Sequence, residues 1–96
     1  MNFENIRFVY FIGIGGIGMS ALARYFNSLG KTVSGYDKMC TALTDELVQE
    51  GIFVHFKDDT ELISFEIKNS KPEVLVIYTP AVSKEHRELN YFIKND

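Results

Sequence analysis

The sequence has little of what marks several large classes of protein. It contains one cysteine, Cys40, two prolines and no tryptophan among 96 residues. A single thiol forms no internal disulfide and supplies no metal site by itself, which is typical of proteins in a reducing compartment. No apolar run reaches the roughly 18 to 20 residues that a membrane-spanning helix needs. The composition therefore predicts a cytoplasmic protein with no membrane partner.

Clusters of positive charge are also missing. Ten lysines and arginines are mixed with 13 acidic residues, the formal net charge is −3, and basic residues form no long run. Because nucleic acids and anionic membrane surfaces are bound through such clusters, neither is expected as a partner. The hydrophobic share of 46% is enough for a core, and a chain of 96 residues has room for one small domain.

Two hydrophobic periods alternate along the chain. Apolar runs predict four strands, at residues 6–12, 32–36, 52–56 and 74–78, of which the first and the last are expected to be buried on both faces. Helices are predicted after the glycines that follow the first strand, at about residues 44–50 and at about 84–94, with a further short helix within 60–67.

The helices carry inward faces and end signals. The first helix is expected to bury four residues spaced i, i+3, i+4 and i+7, which are Leu22, Tyr25, Phe26 and Leu29. Gly30 is expected to follow its end. The last helix is expected to begin after the N-cap Ser83 and to bury Leu89, Phe92 and Ile93.

Strands separated by helices predict the α/β class. We expect a Rossmann-like parallel sheet of about four strands in this chain, with helices on both faces and right-handed crossovers. A fifth strand is expected after the last helix, so the chain is interpreted as part of a longer protein. In that case the strand at residues 74–78 becomes an exposed edge when the chain is alone, and we expect self-association.

A glycine-rich segment stands between the first strand and the first helix. Gly13, Gly15 and Gly18 fit the pattern G-x-G-x-x-G in the position where it binds phosphates. We expect Gly13 to permit the turn, Gly15 to let the backbone approach a diphosphate, and Gly18 to let the helix pack closely on the strand. Gly16 also lacks a side chain, and Ser20 is a candidate hydroxyl donor to the phosphates. The alternative is that these glycines serve only the turn.

The residues alone do not decide which ligand binds. Asp37 lies 19 positions after Gly18, where dinucleotide enzymes place an acid that bonds the ribose, so NAD(P) binding is one interpretation and a strand-end or cap residue is another. Gly30-Lys31-Thr32 resembles the end of an ATP-binding loop but connects a helix to a strand, the reverse of the required order. His55 and His86 have no cysteine or acid at ligand spacing, so no metal site is expected.

Residues 11–23, FIGIGGIGMSALA, are more specific than the general glycine pattern. They resemble the opening of the Mur ligase family of peptidoglycan synthesis, and within it the branch that attaches L-alanine to UDP-N-acetylmuramate. Val33-Ser34-Gly35-Tyr36-Asp37 and Tyr78-Thr79-Pro80-Ala81-Val82 continue the resemblance, as do residues 83–92. The branch that attaches a preformed tripeptide differs in the glycine loop and is less similar.

The resemblance implies that residues 1–96 are an N-terminal Rossmann-like domain that binds UDP-N-acetylmuramate instead of NAD. Gly15, Gly16, Ile17 and Gly18 would cover the diphosphate. The uridine side would be formed by Asp37, Lys38, Thr79, Pro80, Ala81 and Ser83. Many family members carry histidine where this chain has Tyr10, a change expected to affect the inner face of the sheet or a domain contact.

The reaction of the family uses ATP to form an acyl phosphate on the muramoyl carboxylate, which the amine of L-alanine then attacks. The resemblance implies that ATP and Mg²⁺ are bound by a central domain and the amino acid by a C-terminal domain, so no catalytic residue is expected among residues 1–96. The remaining domains would be partners of this one. The alternatives are an NAD(P)-binding domain of a dehydrogenase or nucleotide sensor, and a module for protein contacts.

Overall fold

The computed structural model describes residues 3–95 and shows one parallel sheet with the strand order β3-β2-β1-β4. The strands are β1 (Phe8–Ile12), β2 (Thr32–Tyr36), β3 (Phe53–His55) and β4 (Val74–Ile77). The α-helices are α1 (Ile17–Ser28), α2 (Ala42–Gln49), α3 (Phe65–Lys68) and α4 (Arg87–Lys94), and short 3₁₀ helices span Thr60–Leu62 and Lys71–Glu73. The predicted α/β class with a four-stranded parallel sheet is confirmed.

Both faces of the sheet are covered, and β1 is buried along its whole length. The first core cluster contains Val9 and Phe11 of β1 together with residues of α1 and α2, which are Met19, Ala23, Phe26 and Leu47. The second contains Phe8, Tyr10 and Ile12 of β1 together with Ile63, Ile67 and Leu89. Neighbouring residues of a strand point to opposite faces, which is why β1 alternates between the two clusters.

The positions of the helices follow from the handedness of the connections. The chain runs from β1 to β2 to β3 in one direction and then returns past β1 to β4. Right-handed crossovers therefore place α1 and α2 on one face and α3 on the other. The direction changes between β1 and β4, and ligands of such sheets bind at the carboxyl ends of the strands near this point. No helix between residues 3 and 95 is long and apolar enough to cross a membrane.

The inward face predicted for α1 is wrong at three of its four positions. Leu22, Tyr25 and Leu29 are 43%, 53% and 48% exposed. The buried residues are Met19, Ser20, Ala23 and Phe26. Small residues at positions 20 and 23 let the helix approach the sheet closely, so packing distance decides the buried face, whereas the prediction considered only apolar spacing.

The predicted start of α4 is also wrong. The helix begins at Arg87 with His86 as N-cap, and the Ser83 hydroxyl instead accepts a hydrogen bond from the Glu85 N–H at 3.1 Å. Asp58, in the loop after β3, accepts hydrogen bonds from the N–H groups of Arg87 at 2.8 Å and of the next residue at 2.9 Å. The start of this helix is therefore held by a carboxylate distant in sequence together with the N-cap His86, whose Nδ1 accepts the Leu89 N–H at 3.3 Å.

Exposure in the last part of the chain differs from the predictions. Ile93 is 59% exposed, whereas Leu89 is buried as predicted. The strand β4 is half-buried and not fully buried, because among the described residues it pairs with β1 alone and forms an edge of the sheet. The helix α2 begins at Ala42, two residues before the predicted start, because Thr41 and Thr44 form a capping box.

Candidate nucleotide-binding site

The glycine loop, residues 13–18, connects β1 to α1 at the carboxyl edge of the sheet. Gly13 has φ of +93°, a conformation that L side chains rarely adopt. The N–H groups of Gly13 and Ile14 donate to the Tyr36 carbonyl at 2.7 and 3.0 Å. The loop is therefore held against the end of β2, and the turn predicted at Gly13 is confirmed.

The start of α1 presents backbone donors at the surface. Gly16 is the N-cap, and its own N–H donates to the Gly13 carbonyl at 3.2 Å. The next three N–H groups, of Ile17, Gly18 and Met19, have no acceptor inside the helix. Ile17 is 89% exposed, and no acidic residue stands in the first turn. Free donors of this kind, together with the positive end of a helix dipole, in general favour negative charge.

Ser20 lies in this first turn with its hydroxyl turned to the helix. The residue is buried, and its hydroxyl donates to the Ile17 carbonyl at 3.0 Å. In this chain the hydroxyl proton is thus used within α1, although Ser20 was expected to be a donor to the phosphates.

Gly15 packs against the end of β2. Its N–H donates to Oδ2 of Asp37 at 2.7 Å, and the N–H of Met39 donates to Oδ1 at 2.9 Å. A Cβ on Gly15 would stand 2.8 Å from that Oδ2 and 3.1 Å from Cγ2 of Thr44. The lack of a side chain at this position therefore accommodates Asp37 and α2.

The tight packing expected at Gly18 occurs at another glycine. Apart from its chain neighbours and the nearby backbone of α1 itself, no described atom lies within 4 Å of the place that a Cβ of Gly18 would take. A Cβ on Gly35 of β2, by contrast, would stand 2.5 Å from the Phe11 carbonyl oxygen and 3.1 Å from Cδ1 of Ile14. The sequence signal for Gly35 was available, since a glycine inside a strand indicates a close approach of another part of the chain.

The residues predicted for the uridine side lie on two loops at the same edge of the sheet. Asp37 and the exposed Lys38 follow β2, and residues 79–83 follow β4. The second loop is ordered by its own contacts. Thr79 accepts the N–H of Val82 at its carbonyl, 3.1 Å, and the N–H of Ala81 at its hydroxyl, 3.3 Å. Since β2 and β4 flank β1, the two loops flank the glycine loop.

A buried polar cluster behind this edge was not predicted. Glu88 is fully buried, and its carboxylate accepts the Tyr10 hydroxyl at 2.6 Å and the N–H of Asp59 at 3.1 Å. Nε2 of His55 lies 2.7 Å from Oε2 of the same carboxylate and 3.1 Å from the Tyr10 hydroxyl. Burial, and then the hydrogen bond to Glu88, raise the pKa of Tyr10. Tyr10 thus lies on the inner face of the sheet. This is one of the two places where the replacement of histidine by tyrosine was expected to have an effect.

Sequence spacing could not reveal this cluster, because its members come from three separate elements. The sequence showed no acid at metal-ligand spacing from His55, and the structure brings one to it from 33 positions away. Between residues 3 and 95, no group of three or more histidine, cysteine or acidic side chains is placed to hold a metal ion. Cys40 is exposed, with its Sγ 3.9 Å from an Asp45 carboxylate oxygen.

The central strand leads into a glycine turn, the following helix has an open N-terminus, and the adjacent strand ends in an acid. These features define a Rossmann-like domain of the class that binds nucleotides at the carboxyl edge of a parallel sheet. The family model described as "Mur ligase family, catalytic domain" matches residues 8–95. The chain belongs to the Mur ligase family.

The relatives are named for one reaction. The chain is 55% identical to the UDP-N-acetylmuramate–L-alanine ligase of Flavobacterium psychrophilum, with all of this chain and 21% of that protein aligned. It is 54% identical to the ligase of the same name from Porphyromonas gingivalis, over 91% of this chain and 19% of that protein. The chain therefore spans about a fifth of the length of these relatives.

Solved structures confirm the fold. UDP-N-acetylmuramate:L-alanyl-gamma-D-glutamyl-meso-diaminopimelate ligase from Neisseria meningitides superposes with a TM-score of 0.74 at 23% identity, covering 94% of this chain and 26% of that one. A murein peptide ligase from Psychrobacter arcticus superposes with a TM-score of 0.71, also at 23% identity, covering 93% of this chain and 18% of that one. At this identity the likeness concerns the fold alone.

Proposed function

We propose that the chain is the N-terminal, UDP-N-acetylmuramate-binding domain of a cytoplasmic ligase that joins L-alanine to that sugar nucleotide. The observation that carries the proposal is the glycine loop, whose helix presents unpaired N–H groups at the carboxyl edge of the sheet, in a chain 55% identical to a ligase named for this reaction. The remaining domains of the same protein would be its partners.

The chemistry of the site supports a diphosphate as the group bound at α1. The N–H groups of Ile17, Gly18 and Met19 have no acceptor inside the helix, and the helix dipole favours negative charge there. The exposed Lys38 can add a positive charge from the end of β2. The loops that contain Asp37 and residues 79–83 would enclose the uridine from two sides.

ATP and Mg²⁺ would be bound elsewhere in the ligase. The sequence contains no G-x-x-x-x-G-K-[ST] loop for the phosphates of ATP. Residues 3–95 bring no three acidic or histidine side chains together at a metal-binding distance. We therefore expect the isolated chain to release no phosphate from ATP in the presence of L-alanine and UDP-N-acetylmuramate, and measurable release would contradict this assignment of the chemistry.

The ligand is tested by titrating the ¹⁵N-labelled chain with UDP-N-acetylmuramate, UMP and NAD. The proposal expects the sugar nucleotide to shift the amide signals of Ile17 and Gly18 at lower concentration than NAD does. A stronger response to NAD would favour the dehydrogenase interpretation, which the relatives do not support. A glycine loop that responds to no nucleotide would favour a module for protein contacts.

A matched pair of variants at Gly18 links the binding to the helix start. Gly18→Asp places a carboxylate among the N–H donors of the first turn and should weaken binding of the diphosphate about tenfold or more through charge repulsion. Gly18→Asn is the control, because it adds a side chain of the same shape without the charge. Space around Gly18 is open, and an acid in the first turn favours the helix, so neither change should unfold the chain. Equal affinities for the two variants would contradict a diphosphate at this place.

A further inference from the structure

Asp37 connects the two loops that meet at the end of β2. One carboxylate oxygen accepts the N–H of Gly15 at 2.7 Å, and the other accepts the N–H of Met39 at 2.9 Å. Hydrogen bonds to an ionised group are shorter and stronger than those between neutral groups. Asp37 therefore holds the Gly15 end of the glycine loop, in addition to the backbone bonds by which Gly13 and Ile14 hold its start to the Tyr36 carbonyl.

The same contact explains why residue 15 is a glycine. A Cβ there would stand 2.8 Å from Oδ2 of Asp37 and 3.1 Å from the methyl group of Thr44, which is fully buried and cannot move away easily. The space beside Gly15 is thus filled by the protein itself. The N–H of Gly15 already has a carboxylate acceptor and is not free for a phosphate oxygen in this arrangement.

This arrangement determines which donors remain for a ligand. The N–H of Gly15 is bound by Asp37 and that of Gly16 by the Gly13 carbonyl. The donors left at the surface are the N–H groups of the first turn of α1. Their direction depends on the loop that Asp37 holds, so the carboxylate can act on the diphosphate without touching it.

We propose that Asp37 is a positioning residue for the diphosphate. It fixes the glycine loop through the N–H of Gly15 and thereby orients the free N–H groups of Ile17 and Gly18. The sequence had left three other roles open for Asp37, which are a ribose contact, the uridine side and a strand-end cap. This inference rests on the proposed function, because it concerns the same site.

The two roles of Asp37 are separated by the ligand. The affinities of UDP and of 2′,3′-dideoxy-UDP are measured by calorimetry for the chain and for Asp37→Ala. A positioning role predicts that both ligands lose affinity by the same factor, about tenfold to a hundredfold. A contact with the ribose predicts a loss for UDP that disappears for the dideoxy ligand, and that result would overturn the inference.

Two further variants make the comparison specific. Asp45→Ala removes an exposed acid from the first turn of α2, so it controls for a general change in attraction of the phosphates. Asp37→Asn keeps one oxygen that can accept the N–H of Gly15 and should lose less affinity than Asp37→Ala. It also provides a test if the alanine variant does not fold, which thermal unfolding of each variant will show.

The coupling to Gly15 is measured without any ligand. In Asp37→Ala the amide of Gly15 should exchange with solvent faster than in the original chain, while the amide of Ile14, bound to the Tyr36 carbonyl, should change little. Gly15→Ala should weaken binding of UDP, and combining it with Asp37→Ala should add little further loss. Unchanged exchange at Gly15, or fully additive losses of affinity, would overturn the inference. Failure of the original chain to bind UDP would instead contradict the proposed function. In that case the exchange rate of the Gly15 amide would still decide the role of Asp37.

Discussion

The hydroxyl of Tyr10 donates a hydrogen bond of 2.6 Å to the carboxylate of Glu88, although 78 positions separate the two residues. The bond joins the central strand to α4, and both side chains are almost completely buried. A buried carboxylate is stable only when its oxygens have donors. In this protein the Tyr10 hydroxyl and the N–H of Asp59 donate to the carboxylate, and Nε2 of His55 lies 2.7 Å from its Oε2.

The first prediction follows from this bond. Tyr10→Phe removes one donor and keeps the ring, so the free energy of unfolding should fall by about 1.5 to 3 kcal/mol, the usual effect of a hydrogen bond to a charged group. The measurement is urea unfolding at neutral pH. Tyr25→Phe is the control, because Tyr25 is 53% exposed, and it should change the free energy of unfolding by no more than about 0.5 kcal/mol. Similar losses for both variants would mean that Tyr10 contributes no specific bond.

The second prediction compares two glycines that have equally open surroundings. Apart from chain neighbours and the nearby helix backbone, a Cβ on Gly13 or on Gly18 would meet no described atom within 4 Å, but Gly13 has φ of +93° and Gly18 lies in a helix. Gly13→Ala should destabilise the chain by about 1 to 2 kcal/mol through backbone strain. Gly18→Ala should stabilise it by up to about 1 kcal/mol, because alanine favours the helix. Thermal unfolding shows whether each variant is more or less stable than the original chain. A loss of stability in Gly18→Ala would indicate that Gly18 is closely packed, as the sequence predicted.

The third prediction concerns the start of α4. Asp58→Ala removes the acceptor of the Arg87 and Glu88 N–H groups and should cost about 0.5 to 2 kcal/mol of stability, as the loss of a helix cap does. Ser83→Ala removes only the acceptor of the exposed Glu85 N–H and should cost less than about 0.5 kcal/mol. Denaturant midpoints of the two variants are sufficient for the comparison. The reverse order would show that Ser83 is the cap after all.

The fourth prediction concerns the open edge of β4. Among the described residues this strand pairs with β1 alone, and a groove of about 340 Å³ lined by Val74, Val76 and Phe92 lies beside it. Unpaired N–H and C=O groups next to apolar side chains favour pairing with another chain. We therefore expect the isolated chain to self-associate as its concentration rises, which sedimentation across a wide concentration range will measure.

An extended chain is the control for this prediction. The helix α4 packs on the same face as α3, so a right-handed crossover leads from it to the open side of β4. Adding about 15 residues from the corresponding part of a relative, enough for a connection and a strand, should suppress the association. An isolated chain that stays monomeric, with its β4 amides protected from exchange, would show that the edge is covered in another way.

Much of the fold could be predicted because its signals are local. Short windows of sequence show the apolar runs of β1 and β4. They also show the glycines between β1 and α1. The order of strands and helices then restricts the fold to a parallel sheet. The glycine turn and the position of Asp37 at the end of β2 follow from the same order, so the location of the candidate site was predictable.

The sequence by itself thus determined the fold class, the order of the elements and the edge of the sheet where a ligand would bind. The tertiary structure decided which side of α1 is buried, where α4 begins, and which partners Asp37 and Glu88 have. These features depend on distances between residues that lie far apart in the chain, such as Tyr10 and Glu88 or Gly15 and Asp37. Periodicity constrains each element separately, whereas close packing and the need to pair buried polar groups act only after the elements have come together.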